Sequence, residues 1–293
     1  MITKRQILTK LPQVTPFSLS DQQKALLTPI GDIHWGSEGF PFRTFRESIK
    51  IAVDRGSYFL GMGDYLEFTS DSQRDMIDKL RSSVKKTLDD GVRAEADRLL
   101  EVLAPTRGRW VGMLRGNHTW LFEDRTSVEQ YMCNALETDY LGDSSFIRLK
   151  MEDTPTNHPE AEVVVFAHHG KGGGQTIGGQ LNNPEKALKF MDADLVLMGH
   201  SHAKITGGLD RLLLTPDGVL SSRTVMAART GAFLRAYAGI KPQPLTSISA
   251  NSEGSYVEKG LFMPSCMGCI TFSLGYEQIS KSKFYRPVIH HSI

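Results

Sequence analysis

The short run Leu195-Val196-Leu197-Met198 ends in Gly199-His200-Ser201-His202, and this stretch constrains the chain more than any other. Four consecutive apolar residues between polar neighbours read as a buried strand. Two histidines two residues apart, at the point where a strand ends, can aim both imidazoles at one spot above the sheet edge. In a chain of this composition Gly-His-x-His arises by accident only about 0.03 times. A pair of ordinary turn histidines would look the same, so the reading depends on company. A catalytic metal takes at least three protein ligands.

The company lies upstream, always just after an apolar run. Lys24 to Ile30 reads as a strand and ends in Gly31-Asp32-Ile33-His34; Tyr58 to Leu60 leads to Gly61-Met62-Gly63-Asp64. Trp110 to Leu114 leads to Arg115-Gly116-Asn117-His118, and Glu162 to Ala167 to His168-His169-Gly170. Between these runs the spacing turns helical. Phe42, Phe45, Ile49 and Val53 share one face, and Met76, Leu80, Val84, Leu88, Val92, Leu99 and Leu103 form a longer stripe that Gly91 is placed to split. Ser127 to Glu137 and Pro184 to Met191 complete the expected helices. Where strands and helices alternate, ligands bind at the carboxyl ends of the strands. Collected there are Asp32, His34, Asp64, Asn117, His168, His200 and His202. Nitrogen and oxygen donors of this mixture suit two divalent transition-metal ions, manganese first, with iron, zinc, nickel or cobalt as alternatives. The set is too rich in histidine for a calcium or magnesium cage.

The ordered motifs Asp-x-His, Gly-Asp, Gly-Asn-His, His and Gly-His-x-His, running from Asp32 to His202, resemble those of the calcineurin-like metallophosphoesterase superfamily. The resemblance implies an α/β fold, a four-layer α/β/β/α sandwich of two facing mixed β-sheets flanked by helices. A single domain would span 1–293, with the β-rich part from 203 onward completing the second sheet. It implies that Asp32, His34 and His202 hold one metal, that Asn117, His168 and His200 hold the other, and that Asp64 bridges them. His168 is preferred to His169 for its place at the strand end and for its similarity to His-His pairs in relatives. His169 would then stand behind the ligands or, with Lys171, face substrate. His118, unassigned to a metal, is the candidate for stabilising the transition state and protonating the leaving oxygen. The chain departs from the pattern at Thr119, where the family often carries an acidic residue; Asp124 or Glu123 is the candidate substitute for orienting His118.

The expected reaction is hydrolysis of a phosphodiester by a metal-activated hydroxide, extending to nucleic acid as substrate if the chain follows the DNA-repair nuclease branch. The alternatives are a phosphomonoesterase, protein phosphatase included, and a metal-binding scaffold without turnover. Arg115, Lys171, Arg229 and Arg235 are the cations that could hold a terminal phosphate. The glycine-rich run Lys171 to Gln180 reads as a loop and lacks the Lys-Ser/Thr ending of a Walker phosphate loop. A net charge of +1 over 293 residues gives no reason to expect a general nucleic-acid or membrane binder. No stretch approaches the roughly 18 apolar residues of a membrane span, and no signal peptide is read at the start. Cys133, Cys266 and Cys269 make no disulfide framework. The Cys266-Met267-Gly268-Cys269 spacing is read as buried structural thiols, and the protein as cytoplasmic. A hairpin is expected over Arg211–Thr215 and Val219–Met226, an exposed excursion over 241–254, and closing strands over 263–274.

Overall fold

The computed structural model describes residues 13–19, 24–37, 39–68, 80–151, 162–235 and 266–292. Two mixed sheets form within them. The first contains the parallel run β2 (Lys24–Ile30), β3 (Tyr58–Gly61), β4 (Trp110–Leu114) and β5 (Tyr140–Gly142), extended antiparallel beyond β2 by β12 (Thr271–Gln278) and β13 (Tyr285–Ser292). The second has the order β1 (Gln13–Leu19), β6 (Ser144–Met151), β7 (Glu162–His168), β8 (Leu195–Met198), β10 (Leu220–Ala232) and β11 (Gly268–Cys269). In it β9 (Lys204–Leu214) pairs with β10. Helices α1 (Phe42–Asp54), α2 (Ser82–Leu103), α3 (Val128–Leu136) and α4 (Ile177–Phe190) supply the crossovers.

Alternation along the strands sorts side chains into layers. Val163, Val165 and Ala167 of β7 and Met226 and Ala228 of β10 pack between the sheets, against Leu60, Val111, Phe272 and Leu274. The intervening Phe166, Val225 and Ala227 face the other way, toward Ala187 and Leu188 of α4. On the far side Phe45 and Ile49 of α1, Val92, Ala96 and Leu99 of α2 and Met132 of α3 cover the outer face of the first sheet. This is the α/β/β/α sandwich that the resemblance implies, except that the part from 203 onward serves both sheets, β9 to β11 joining the second and β12 and β13 the first. Parallel strands buried on both faces need near-continuous apolar runs, which is why those runs were legible as strands.

Helix α3 is the best specified locally. Ser127 caps it in a reciprocal box with Gln130, and Glu137 ends it in a left-handed conformation (φ 57°). The remaining differences have local causes. Gly91 does not split α2: it lies on an exposed face with open space beyond it, so no packing is lost there. Helix α4 begins at Ile177 rather than at Pro184, because Thr176 caps the backbone N–H of Gly179 and draws the two glycines of the expected loop into the first turn. The hairpin is longer on both sides than its apolar residues suggest, since β9 and β10 stay in register from Lys204–Thr230 to Leu214–Leu220. Strands β1, β5 and β13 have no counterpart in the sequence reading. Cys266 is exposed rather than buried, Cys269 is half-buried, and Cys133 is buried; all three are free thiols. The excursion over 241–254 lies outside the described residues, as does the start of the closing strands before 266. No helix among the described residues is long and apolar enough to cross a membrane.

Candidate metal centre

Both sheets bring their strand ends to one rim. From the first come Asp32 and His34 after β2, Asp64 and Glu67 after β3, and Asn117 and His118 after β4. From the second come His168 and His169 at the end of β7, and His200 and His202 after β8. The loops are laced together by main-chain bonds. Asp32 N–H donates to Gly63 O (2.9 Å), Ile33 N–H to Asp64 O (2.9 Å), and Gly199 N–H to His169 O (2.7 Å). Side chains tie one sheet to the other. The Asp32 carboxylate accepts from His200 N–H (2.9 Å), and Asn117 Oδ1 lies 2.9 Å from His169 Nε2 and 2.6 Å from His200 Nδ1.

Three groups of donors emerge, each with its atoms within 4.8 Å of one another: Asp32, His34 and His202; Asp64, His169 and His200; His34, Glu67 and His118. Two of them contain the expected ligands. The departure is at the histidine pair. His169, not His168, joins Asp64 and His200, while His168 Nδ1 turns aside to accept from Gly170 N–H (2.7 Å). The cause is strand parity. His168 shares the outward face with Glu162, Val164 and Phe166, whereas His169 continues the inward series Val163, Val165 and Ala167. Lys171, the other expected substrate contact, lies exposed on the glycine-rich loop, its carbonyl accepting from Asn183 Nδ2 (2.8 Å).

The backbone is contorted to achieve this convergence. Asp32, His34, Asp64, His200 and His202 all have positive φ, between 46° and 68°. Two glycines make room. A Cβ on Gly116 would overlap the Asp64 carboxylate, and one on Gly199 would meet Asp32 Oδ2 at 2.6 Å.

Hydrogen bonds behind the rings decide which nitrogens face inward. A carbonyl can only accept, so His169 Nδ1, 2.7 Å from Met62 O, carries a proton and presents Nε2 to the centre. That Nε2 then faces two oxygens, Asn117 Oδ1 at 2.9 Å and Asp64 Oδ2 at 3.3 Å. Likewise His34 Nδ1 lies 2.5 Å from the Glu67 carboxylate, which leaves its Nε2 pointing at Nε2 of His202, 3.0 Å away. Lone pairs converging in this way need a proton or a cation between them. The donor set therefore fits divalent ions with imidazole, carboxylate and amide ligands.

Crowded at this spacing, the buried groups shift one another's titration. Burial would lower the His169 pKa, but its hydrogen bond to Asp64 pushes it up to about 9. Burial likewise opposes ionisation of Asp64, yet His169 holds that carboxyl well below the usual range. Burial raises Asp32 to about 6. Burial, then the charge of His34, takes His202 down to about 3. His34 is held above its ordinary value because Glu67 and the carboxylates Asp64 and Asp32 outweigh its burial.

Glu67 is the residue the sequence reading missed. One of its oxygens orients His34; the other stands 3.6 Å from His118 Nδ1, a buried nitrogen with no hydrogen-bond partner. Its signal was available: it lies three residues past Asp64 in the same strand-end loop. Asp124 is instead engaged by Thr126 (2.5 Å) and Arg93, Glu123 is exposed, and the carboxylate that faces His118 is that of Glu67. Thr119 donates its hydroxyl to the buried Glu129 (2.7 Å), which anchors the Asn117-His118 loop to α3.

No family model and no curated protein matches the chain. Among solved structures it is similar to Vps29 of Entamoeba histolytica in complex with zinc, at 11% identity over 91% of this chain and 98% of that one, with a TM-score of 0.36. It is similar to vacuolar protein sorting 29 of Cryptosporidium parvum at 14% identity (92% and 98% covered, TM-score 0.35). A conserved protein of Streptococcus pneumoniae, a predicted phosphoesterase, is 10% identical (91% and 98% covered, TM-score 0.32). The chemistry of the centre rests on its own donors.

Proposed function

We propose that this chain is a dinuclear metal-dependent phosphoesterase acting first on diesters. The observation that carries the reading is the convergence of Asp32–His34–His202 and Asp64–His169–His200 at one rim, with Asn117 between the two histidines of the second group. Asp32, His34 and His202 would hold one ion; His169, His200 and Asn117 would hold the other, with Asp64 shared. His169 takes the place expected for His168. Manganese is the first candidate, with iron, zinc, nickel or cobalt as alternatives. Two such ions, when bound, would supply a hydroxide nucleophile at neutral pH and neutralise the phosphate ester.

The remaining work falls to the chain. His118 protonates the leaving oxygen; its backbone N–H is held by Asp64 Oδ1 (2.8 Å) and its ring faces Glu67, which supplies the carboxylate that Thr119 lacks. Glu67 thereby couples the proton donor to the metal ligand His34. Diesters are favoured because the sequence has no arginine-rich clamp, and two of the arginines that could hold a terminal phosphate are committed elsewhere. Arg115 pairs with Asp143 (2.7 Å), and Arg229 is fully buried on backbone carbonyls. A monoester dianion would want such a clamp; a diester monoanion does not.

The deciding test compares initial rates on bis-p-nitrophenyl phosphate and p-nitrophenyl phosphate in Mn²⁺. Diester preference is expected, and nucleic acids and cyclic nucleotides would be tried next. Faster monoester turnover would move the reading to a phosphomonoesterase. Inactivity on both with every metal would leave a metal-binding scaffold.

A further inference from the structure

Arg229 lies on β10 opposite Met198 of β8, one residue before the Gly199–His202 turn begins, and its side chain is completely buried. All three guanidinium nitrogens are spent on main-chain carbonyls, each from a different segment. Nε donates to Gln180 O of α4 (2.9 Å), Nη1 to Gly199 O (2.8 Å), and Nη2 to Gly172 O in the glycine-rich loop (2.7 Å). No carboxylate among the described residues forms an ion pair with it. Burying a charge that only the Asp32 carboxylate answers, from beyond ion-pair distance, is costly, so a merely apolar residue would pack there more cheaply.

Gly199 O also accepts from Ser201 N–H (2.8 Å) and Gly172 O from Asn183 Nδ2 (3.4 Å), so the clearest need for this partner is that of Gln180 O. Gln180 O would normally accept from the N–H four residues on, but that residue is Pro184, inside the helix and without an N–H. Arg229 Nε fills the gap that the proline opens. Gly199 O belongs to the peptide leading into His200, whose φ is 68° and whose N–H is held by Asp32. On its other side Gly199 N–H is bonded to His169 O. The Gly199 peptides are therefore pinned between the two histidines of the second donor group, and Arg229 supplies one of the pins. Gly172 lies three residues past His169 in the loop that the same guanidinium ties down.

We propose that Arg229 is a positioning residue for the metal centre: its planar fork joins the glycine-rich loop, α4 and the Gly199–His202 turn into one unit, and so fixes His169 and His200 at ligand spacing. The inference rests on the metal reading above. A lysine could retain the charge but could not satisfy three carbonyls in one plane, whereas a purely space-filling role would leave the donors where they are.

The test is a Co²⁺ titration of the full chain, followed by visible absorption, for wild type, Arg229→Lys and Arg229→Met, with thermal unfolding of each metal-free protein alongside. Expected are Co²⁺ binding weakened about tenfold or more in Arg229→Met, an intermediate loss in Arg229→Lys, and an altered ligand-field spectrum in both. Wild-type affinity and spectrum in both variants, whatever their melting temperatures, would overturn the proposal. A wild type that takes up no Co²⁺, Zn²⁺ or Mn²⁺ would instead overturn the metal reading on which it stands. Should neither variant fold, hydrogen exchange on the wild type decides. Co²⁺ should then protect 170–174 and 199–202 in concert with 226–230, and protection confined to 199–202 counts against the clamp.

Discussion

The two halves of the rim orient the same kind of side chain by different means. Where β2, β3 and β4 end, carboxylates do it: Glu67 holds His34 and faces His118, and Asp64 takes the His118 N–H. Where β7 and β8 end, main-chain carbonyls take the larger part: Met62 O fixes the His169 ring, and Gly199 O ties the turn before His200 to Arg229, with the Asp32 carboxylate taking the His200 N–H. A carboxylate behind an imidazole strengthens it as a ligand and can be removed by one substitution. A carbonyl gives orientation without added charge, and the one behind His169, Met62 O, survives any change of its own side chain. The first half is therefore the tunable one, and the second depends on how the chain is laid.

Asp64 borders both halves, so Asp64→Asn should cause the largest loss. Bound metal per chain should fall, and turnover should drop by roughly 10⁴-fold or more, the several kcal/mol that metal stabilisation supplies. Elemental analysis and diester kinetics together check it. His118→Ala should separate chemistry from binding, with metal content near wild type and turnover down about 10²–10⁴-fold. Metal loss in that variant would place His118 among the ligands. In the second half, His169→Ala should weaken metal affinity about 10–100-fold while His168→Ala leaves it nearly unchanged; the reverse result in a paired calorimetric titration would restore His168. Glu67→Gln keeps the shape of the first half and removes its charge. A turnover loss of about tenfold with metal retained is expected, and no loss would show that orientation there needs no carboxylate.

The smallest effect concerns the anchor behind Thr119. Burial raises the Glu129 carboxyl above its ordinary 4.5, against the hydrogen bond from Thr119. Its folded-state pKa exceeds the unfolded one, so the stability this carboxyl contributes is lost as pH rises from 4.5 through the folded-state pKa. Glu129→Gln keeps an oxygen for the Thr119 hydroxyl and has no charge to bury. Its melting temperature should match wild type at low pH and exceed it at neutral pH. A gap that widens toward acid would reverse the sign.

The same contrast explains what could be read from the sequence. Asp32, His34, Asp64, Asn117, His200 and His202 were legible because each follows an apolar run, and the place where such a run ends is a rim position. His169 was not, because β7 is apolar on both faces: Val163, Val165 and Ala167 look no more interior than Val164 and Phe166. Glu162 was the available clue, since His168 shares its parity. Glu67 was missed because an acidic residue in a loop has many ordinary uses, and only the fold brings it to His34 and His118. Arg229 was legible only as one of four cations that could hold a terminal phosphate or serve the structure, since nothing in a linear sequence shows three carbonyls from separate segments arriving at one guanidinium.

Five of the candidate ligands, Asp32, His34, Asp64, His200 and His202, sit in left-handed backbone, where a side chain costs about 1–2 kcal/mol relative to glycine. Selection for heat resistance alone would favour replacing them. A lineage freed from the need for turnover would therefore be drawn to shed its metal centre at these positions first, becoming sturdier as it became inert.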